Sequence, residues 1–240
     1  MCGKFTAMVS WRRVVNFSQS LTIRRDDGGP DEEVTYGVAK PLPVIVWDHE
    51  SNKRGVVPMR WGFPHPKDYR RPQPIHARSE TIETTKAFAE AFASGQRGIV
   101  VFKTFNEGEE TTTNTGTPKT IQWTIDPRDG IPRGFAFLWR RFQLTDLPQP
   151  MLACVMVTVP ANKLLRDSIL KNDPDPRMPA ILEPEDWARW LGEVPTAPDE
   201  AKAVLKTMEG VNWKMAPEPK KPKPAKPSKP ATPESETELF

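Results

Sequence analysis

Gly98-Ile99-Val100-Val101-Phe102-Lys103-Thr104-Phe105 is an almost unbroken apolar run, and it predicts a central strand buried in the sheet. On its upstream side, Thr81 or Thr84 opens a predicted helix to about Ser94. Ala87, Phe88, Ala91 and Phe92 form its inner stripe, and Gly95 stops it. Downstream, Glu109–Pro118 reads as a polar, threonine-rich loop. Branched and aromatic runs predict further strands at Ile121–Ile125, Gly134–Trp139 and Ala153–Val159. Before the central run they predict strands at Cys2–Met8, Val34–Val38, Val44–Trp47 and Val56–Phe63. Ser10 can cap a short helix through Phe17, and Arg25–Glu32 is a polar loop. Pro64–Pro74 carries four prolines, which excludes regular helix or a central strand. Helices follow at Pro184–Leu191 and Asp199–Met208. Short strands with helices between them, without regular β-α-β alternation, predict an α+β fold. It is a single compact domain around a mixed, barrel-like β-sheet with peripheral helices.

All eight Trp fall within the first 213 of the 240 residues, so the capacity to bury a core lies there. Residues 2–213 are therefore the expected domain. Residues 214–240 are an expected disordered tail, in which prolines alternate with lysines and almost nothing can be buried. No apolar run has the length of a membrane span, and signal features are absent. The two cysteines, Cys2 and Cys154, differ too much in setting to suggest a disulfide framework. A reduced, cytoplasmic location is the default. No Cys/His cluster has zinc-ligand spacing, and no cofactor is called for. The net charge of +3 permits a nucleic acid partner without establishing a basic face.

The chemistry that stands out is at Met1-Cys2-Gly3. A small second residue normally allows removal of the initiator methionine, leaving Cys2 with a free amine and a thiol. Such an amine has a pKa of roughly 8, so an appreciable fraction is unprotonated near neutrality. It can condense with an aldehyde to an imine, and the neighbouring thiol can close a five-membered thiazolidine ring. The plainer alternative is that Cys2 is an incidental second residue.

Five segments occur in order: Met1-Cys2-Gly3-Lys4-Phe5, Arg60-Trp61-Gly62-Phe63, His76-Ala77-Arg78-Ser79-Glu80-Thr81, Phe105-Asn106-Glu107 and Arg177-Met178-Pro179-Ala180-Ile181-Leu182. Together they resemble the signature blocks of the SOS response-associated peptidase (SRAP) family, over roughly residues 2–192. The resemblance implies a DNA damage protein that binds single-stranded DNA and captures abasic sites. The N-terminal cysteine links covalently to the opened sugar as a thiazolidine and so shields the lesion. It also implies an N-terminal self-processing peptidase (hydrolase) activity and lyase-like chemistry. Glu107 matches the family's catalytic glutamate and could shuttle protons. Arg78 matches a phosphate-gripping arginine, and Lys4 and Arg177 fall on further DNA-binding positions.

Four departures stand out. Lys4 replaces an arginine. His76 replaces an asparagine that contacts the sugar. Asp175, in Asp173-Pro174-Asp175-Pro176, stands at or near the place of a catalytic histidine. Pro64-His65-Pro66-Lys67-Asp68-Tyr69 replaces a segment that often supplies a stacking tryptophan. His76 either takes over part of the proton transfer or only donates a hydrogen bond. His49, in a turn, reads as solvent-exposed.

Binding a single strand needs cations along the backbone and flat groups under the bases. Arg60, Lys67, Tyr69, Arg70, Arg71 and Arg78 supply them. Trp139, Arg140 and Arg141 form a second candidate. Trp61 and Trp139 read more naturally as core. The tail is either a solubilising end or a tether, and Glu238-Leu239-Phe240 is similar to the end of a bacterial sliding-clamp-binding peptide that lacks the usual Gln. Two other functions remain open: a noncovalent single-strand binder that has lost its chemistry, and a glutamine amidotransferase-like hydrolase that also begins Cys-Gly.

Overall fold

The computed structural model describes residues 4–7, 21–22, 34–127, 129 and 131–218. In chain order the strands are β1 (Lys4–Ala7), β2 (Leu21–Thr22), β3 (Thr35–Gly37), β4 (Pro41–Asp48), β5 (Lys53–Trp61), β6 (Pro64–His65), β7 (Asp68–Pro72), β8 (His76–Arg78), β9 (Arg97–Thr112), β10 (Pro118–Asp126), β11 (Arg133–Phe142), β12 (Met151–Pro160), β13 (Arg177–Pro179), β14 (Ile181–Leu182) and β15 (Lys214–Pro217). The helices are short: α1 (Ala89–Ala93), α2 (Lys163–Asp167), α3 (Trp187–Leu191) and α4 (Pro198–Ala203).

The sheet is mixed. Its main path runs β14-β11-β12-β5-β4-β9-β1-β3, and a further pairing of β11 with β9 closes five of these strands into a ring. β12 runs parallel to β5 and β8 and antiparallel to β11 and β13. The predicted central run is the first half of β9, and Ile99 and Val100 are fully buried there. Phe135 to Leu138 on β11, which pairs with β9, and Ala153 to Val157 on β12, which pairs with β11, are buried residue by residue, so neither run has a solvent-facing side. Phe102 and Phe135 stack at 3.8 Å across the β9–β11 pair. Ring closure depends on two glycines. A Cβ on Gly134 would meet Ile99 Cγ2 at 2.1 Å, and one on Gly98 would meet Val44 Cγ1 at 2.5 Å. α3 closes over this region, with Trp190 Nε1 donating to Gly98 O at 2.9 Å and Trp187 Nε1 donating to Leu182 O at 3.3 Å. Each large side chain so buried stabilises by roughly 1.5–3 kcal/mol.

Three expectations need correction. The helix expected from Thr81 or Thr84 to Ser94 is a 3-10 turn at Ser79–Thr81, a series of turns, and then α1. The reason is local: the N–H groups of Thr84 and Thr85 and the Thr84 hydroxyl all donate to Thr81 O, which ties the segment into a turn. The expected loop at Glu109–Pro118 is mostly strand. β9 runs on to Thr112 and pairs with β10, leaving only residues 113–117 as the turn. Threonine is β-branched and suits this half-exposed ladder. Finally, the boundary expected at residue 213 falls too early, because β15 pairs with Trp123–Asp126 of β10 and Glu218 N donates to Gln122 O.

The segment Asp199–Met208, expected as one helix, is helical only over α4, although Val204, Leu205 and Met208 still pack on the core. The helix expected from Ser10 to Phe17, the loop at Arg25–Glu32 and the tail beyond residue 218 lie outside the described residues.

Candidate functional site

β1 enters the sheet at Lys4, opposite Asn106 of β9, with Gly37 of β3 on its other side. The next residue along β9 is Glu107, fully buried and paired with Trp123 of β10. Burial pushes the Glu107 carboxyl above its ordinary value, and the negative charge of Asp173 adds to the effect. The N–H of Gly108, 3.2 Å from Oε1, works the other way. A carboxyl in this setting can hold a proton and deliver it inside the protein. Its neighbours along the strand are engaged elsewhere: Glu109 accepts from Trp123 Nε1 at 2.9 Å, and Glu110 accepts from the Thr120 hydroxyl at 3.0 Å. Asn106 is also buried and donates to Thr124 Oγ1 at 3.0 Å.

Cys2 lies outside the described residues. Chain geometry alone keeps its Cα within about 7 Å of that of Lys4, whose strand lies directly against the one carrying Glu107. Lys4 itself is ion-paired with Glu218, just beyond β15.

A second group of charges lies where β8 and β13 both pair with β12. Arg78 Nη2 is 2.5 Å from Asp175 Oδ2. Arg177 is almost wholly buried and forms a two-pronged contact with Glu80, Nη1 to Oε1 and Nη2 to Oε2, each at 2.7 Å. Nη2 also donates to Thr158 O at 3.0 Å. The hydrogen bonds from Arg177 hold the Glu80 carboxyl below its ordinary value. The sequence places Arg177 among DNA-binding residues; its guanidinium is instead turned inward and committed to Glu80. Asp175 likewise sits on Arg78, and it is Asp173 whose charge acts on Glu107. Asp173 Oδ1 accepts from Asp175 N at 2.9 Å, so the two aspartates are held in one turn. The repeated Asp-Pro of residues 173–176 marks that turn in the sequence but does not say which aspartate's charge acts on Glu107.

His76 is half-buried and lies edge-on to Trp61, with ring centroids 6.4 Å apart. Trp61 is fully buried and belongs to the core, and Trp139 packs partly buried against it. The proline-rich segment forms a separate β6–β7 hairpin. Arg60, expected to contact DNA, also holds this hairpin: Nη1 donates to Tyr69 O at 2.5 Å and Nη2 to Arg70 O at 2.6 Å. Lys67, Arg70 and Arg71 are exposed on it. The Arg70 guanidinium lies 5.8 Å from the Tyr69 ring centroid, and Arg71 Nε is 3.5 Å from Asp68. Of the second cationic candidate, Arg140 pairs with Glu90 at 2.6 Å and Arg141 is exposed. Burial raises the Cys154 thiol well above its ordinary value, which makes it a core residue and a poor nucleophile. Among the described residues there is no group of three or more His, Cys, Asp or Glu able to hold a metal ion. No helix among them is long and apolar enough to cross a membrane.

The sequence profile described as SOS response associated peptidase (SRAP) matches residues 1–221. The chain is 26% identical over 214 residues to the abasic site processing protein YoqW of Bacillus subtilis (strain 168), a match covering 86% of this chain and 87% of the relative. It is 25% identical over 213 residues to the abasic site processing protein YobE of the same organism, covering 85% and 88%. Two solved structures share the fold. A Bacteroides thetaiotaomicron protein superposes with a TM-score of 0.72 at 19% identity, covering 90% of this chain and 91% of its own. A Bordetella bronchiseptica protein superposes with a TM-score of 0.69 at 18% identity, covering 91% and 100%.

Proposed function

Because the chain belongs to the SOS response associated peptidase family, we propose that it processes abasic sites in single-stranded DNA by forming a thiazolidine crosslink through Cys2 once Met1 is removed. The observation that carries this reading is the fully buried Glu107, with its carboxyl pushed up by burial, on the strand that β1 pairs against. The names of the Bacillus relatives support the substrate class.

The steps balance without a cofactor. The Cys2 amine adds to C1′ of the ring-opened sugar, giving a carbinolamine. Glu107 donates its proton to the departing hydroxyl, water leaves, and an imine forms. The thiol then adds to the carbon of this protonated imine, with Glu107 taking the thiol proton as the C=N electron pair returns to nitrogen and the ring closes. One water is lost overall, and Glu107 ends as it began. A proton-shuttling carboxyl of this kind contributes roughly 10²–10⁴-fold to rate.

Asp175 faces Arg78, which leaves no imidazole at that position to drive ring opening. The proposed adduct is therefore long-lived. His76 stands beside the core Trp61 and serves in this reading as a hydrogen-bond partner to the sugar. The exposed hairpin cations Lys67, Arg70 and Arg71, together with Tyr69 and Arg78, would hold the strand.

The test is a denaturing gel of the protein with an abasic oligonucleotide. A heat-stable shifted band is expected for wild type, none for Cys2→Ala, and a band that forms roughly 100-fold or more slowly for Glu107→Gln. Retained affinity without any band would assign the chain to noncovalent binding. Retention of Met1 in an intact-mass measurement of the active protein would overturn the chemistry.

A further inference from the structure

We infer that Arg97, at the opposite end of β9 from Glu107, forms a second anion site, suited to inorganic phosphate or a terminal phosphate monoester. Ten residue steps of strand separate the two positions, about 33 Å at the usual rise, so this is not an extension of the crosslinking site.

Arg97 is 6% exposed, and its guanidinium lies 5.9 Å from the Phe92 ring centroid and 5.8 Å from that of Trp190. Among the described residues nothing accepts a hydrogen bond from its side chain, and Nε is buried without a partner. A guanidinium keeps its charge in proteins, so a buried one calls for an anion. Aromatic faces recover part of the lost hydration, and the five-residue helices α1 and α3, which end nearby, have little macrodipole to add.

The open end of the guanidinium is well defined. A Cβ on Gly192 would stand 3.3 Å from Arg97 Nη2 and 4.0 Å from His49 Cε1, and one on Gly95 would stand 3.9 Å from the same Nη2. The absence of side chains at these glycines leaves space bounded by a guanidinium nitrogen and an imidazole. His49 is exposed and both glycines are half-buried, so the space reaches solvent. The carboxylate next in the chain, Glu193, is already taken by Arg54 Nε at 2.5 Å, and Arg54 lies over Trp187 at 5.7 Å. A guanidinium nitrogen and an imidazole edge around a side-chain-free gap, with the adjacent carboxylate neutralised, match a compact oxyanion.

The full chain should bind inorganic phosphate saturably by calorimetry, with a rise in Tm that potassium chloride at equal ionic strength does not reproduce. Arg97→Met should abolish that binding. His49→Ala, at an exposed position that leaves the Arg97 packing intact, should weaken it about tenfold, the worth of one charge-assisted hydrogen bond. Equal effects of phosphate and chloride on wild type, or unchanged phosphate affinity in His49→Ala, would overturn the site. Tighter binding of a 5′-phosphorylated oligonucleotide than of its 5′-hydroxyl twin, lost in His49→Ala, assigns the site to nucleic acid ends. Equal binding of the two oligonucleotides assigns it to the free ion.

Discussion

Arg78 Nη2 lies 2.5 Å from Asp175 Oδ2, joining the strand that carries His76 to the turn that carries Asp173. Both side chains are largely exposed, at 61% and 47%, so the pair is worth no more than about 1 kcal/mol. In the proposed function a DNA phosphate must take Asp175's place on Arg78. Asp175→Asn should then raise affinity for single-stranded DNA by up to about fivefold, and Arg78→Ala should lower it. Fluorescence anisotropy at fixed salt measures both. Unchanged affinity in Asp175→Asn would mean that phosphate and carboxylate do not compete.

Glu107 predicts a pH dependence of stability. Its folded-state pKa is raised above the ordinary 4.5. Its contribution is therefore fully present below about pH 4.5 and is lost as pH rises through the folded value, because the unfolded chain ionises first. Glu107→Gln removes that loss. Its Tm should exceed that of wild type at neutral pH, and the gap should close on acidification towards pH 4, while crosslinking slows. A gap that widens on acidification would reverse the assigned shift.

The hairpin cations divide into holders and binders. Arg60 bonds the carbonyls of Tyr69 and Arg70, so Arg60→Ala should loosen the hairpin and weaken DNA binding at every ionic strength. Arg70→Ala and Arg71→Ala should instead flatten the dependence of log K on log salt, by about 0.7 each if each meets one phosphate of a single strand. A salt titration of the three variants separates these outcomes.

The C-terminal strand marks the end of the folded unit among the described residues. A chain cut after Glu218 should keep the wild-type Tm. One cut after Trp213 loses the β15 ladder, the Met215 packing and the Lys4–Glu218 ion pair, and should be destabilised by roughly 2 kcal/mol. Because Lys4 opens β1, the shorter chain should also crosslink more slowly, which the denaturing gel reads directly.

Much of the fold was legible in short runs of residues. Gly98–Phe105, Gly134–Trp139 and Ala153–Val159 are apolar enough that only a buried strand satisfies them, and all three are buried strands. The errors came where local chemistry was ambiguous. Threonines suit both turns and half-exposed strands, so Thr84 and Thr85 delayed the start of a helix while Thr111 and Thr112 extended a strand. Proline content concealed β15, because its pairing partner β10 is far away in sequence.

The amino-acid order by itself supplied the groups that the proposed function uses: Cys2 next to the initiator methionine, a carboxyl at Glu107 and cations along residues 60–78. It also determined the family through its ordered blocks. Only the tertiary structure decided which charges are spent on the fold and which stay available. Arg177 looks like a DNA contact in the sequence and is buried against Glu80, and Arg60 bonds the hairpin carbonyls, whereas Arg97 carries no sequence signal and is buried with no protein acceptor for its side chain among the described residues. The physical reason is that a charged side chain's role depends on its counter-charge and on its access to water. Both come from strands that meet only when the ring closes.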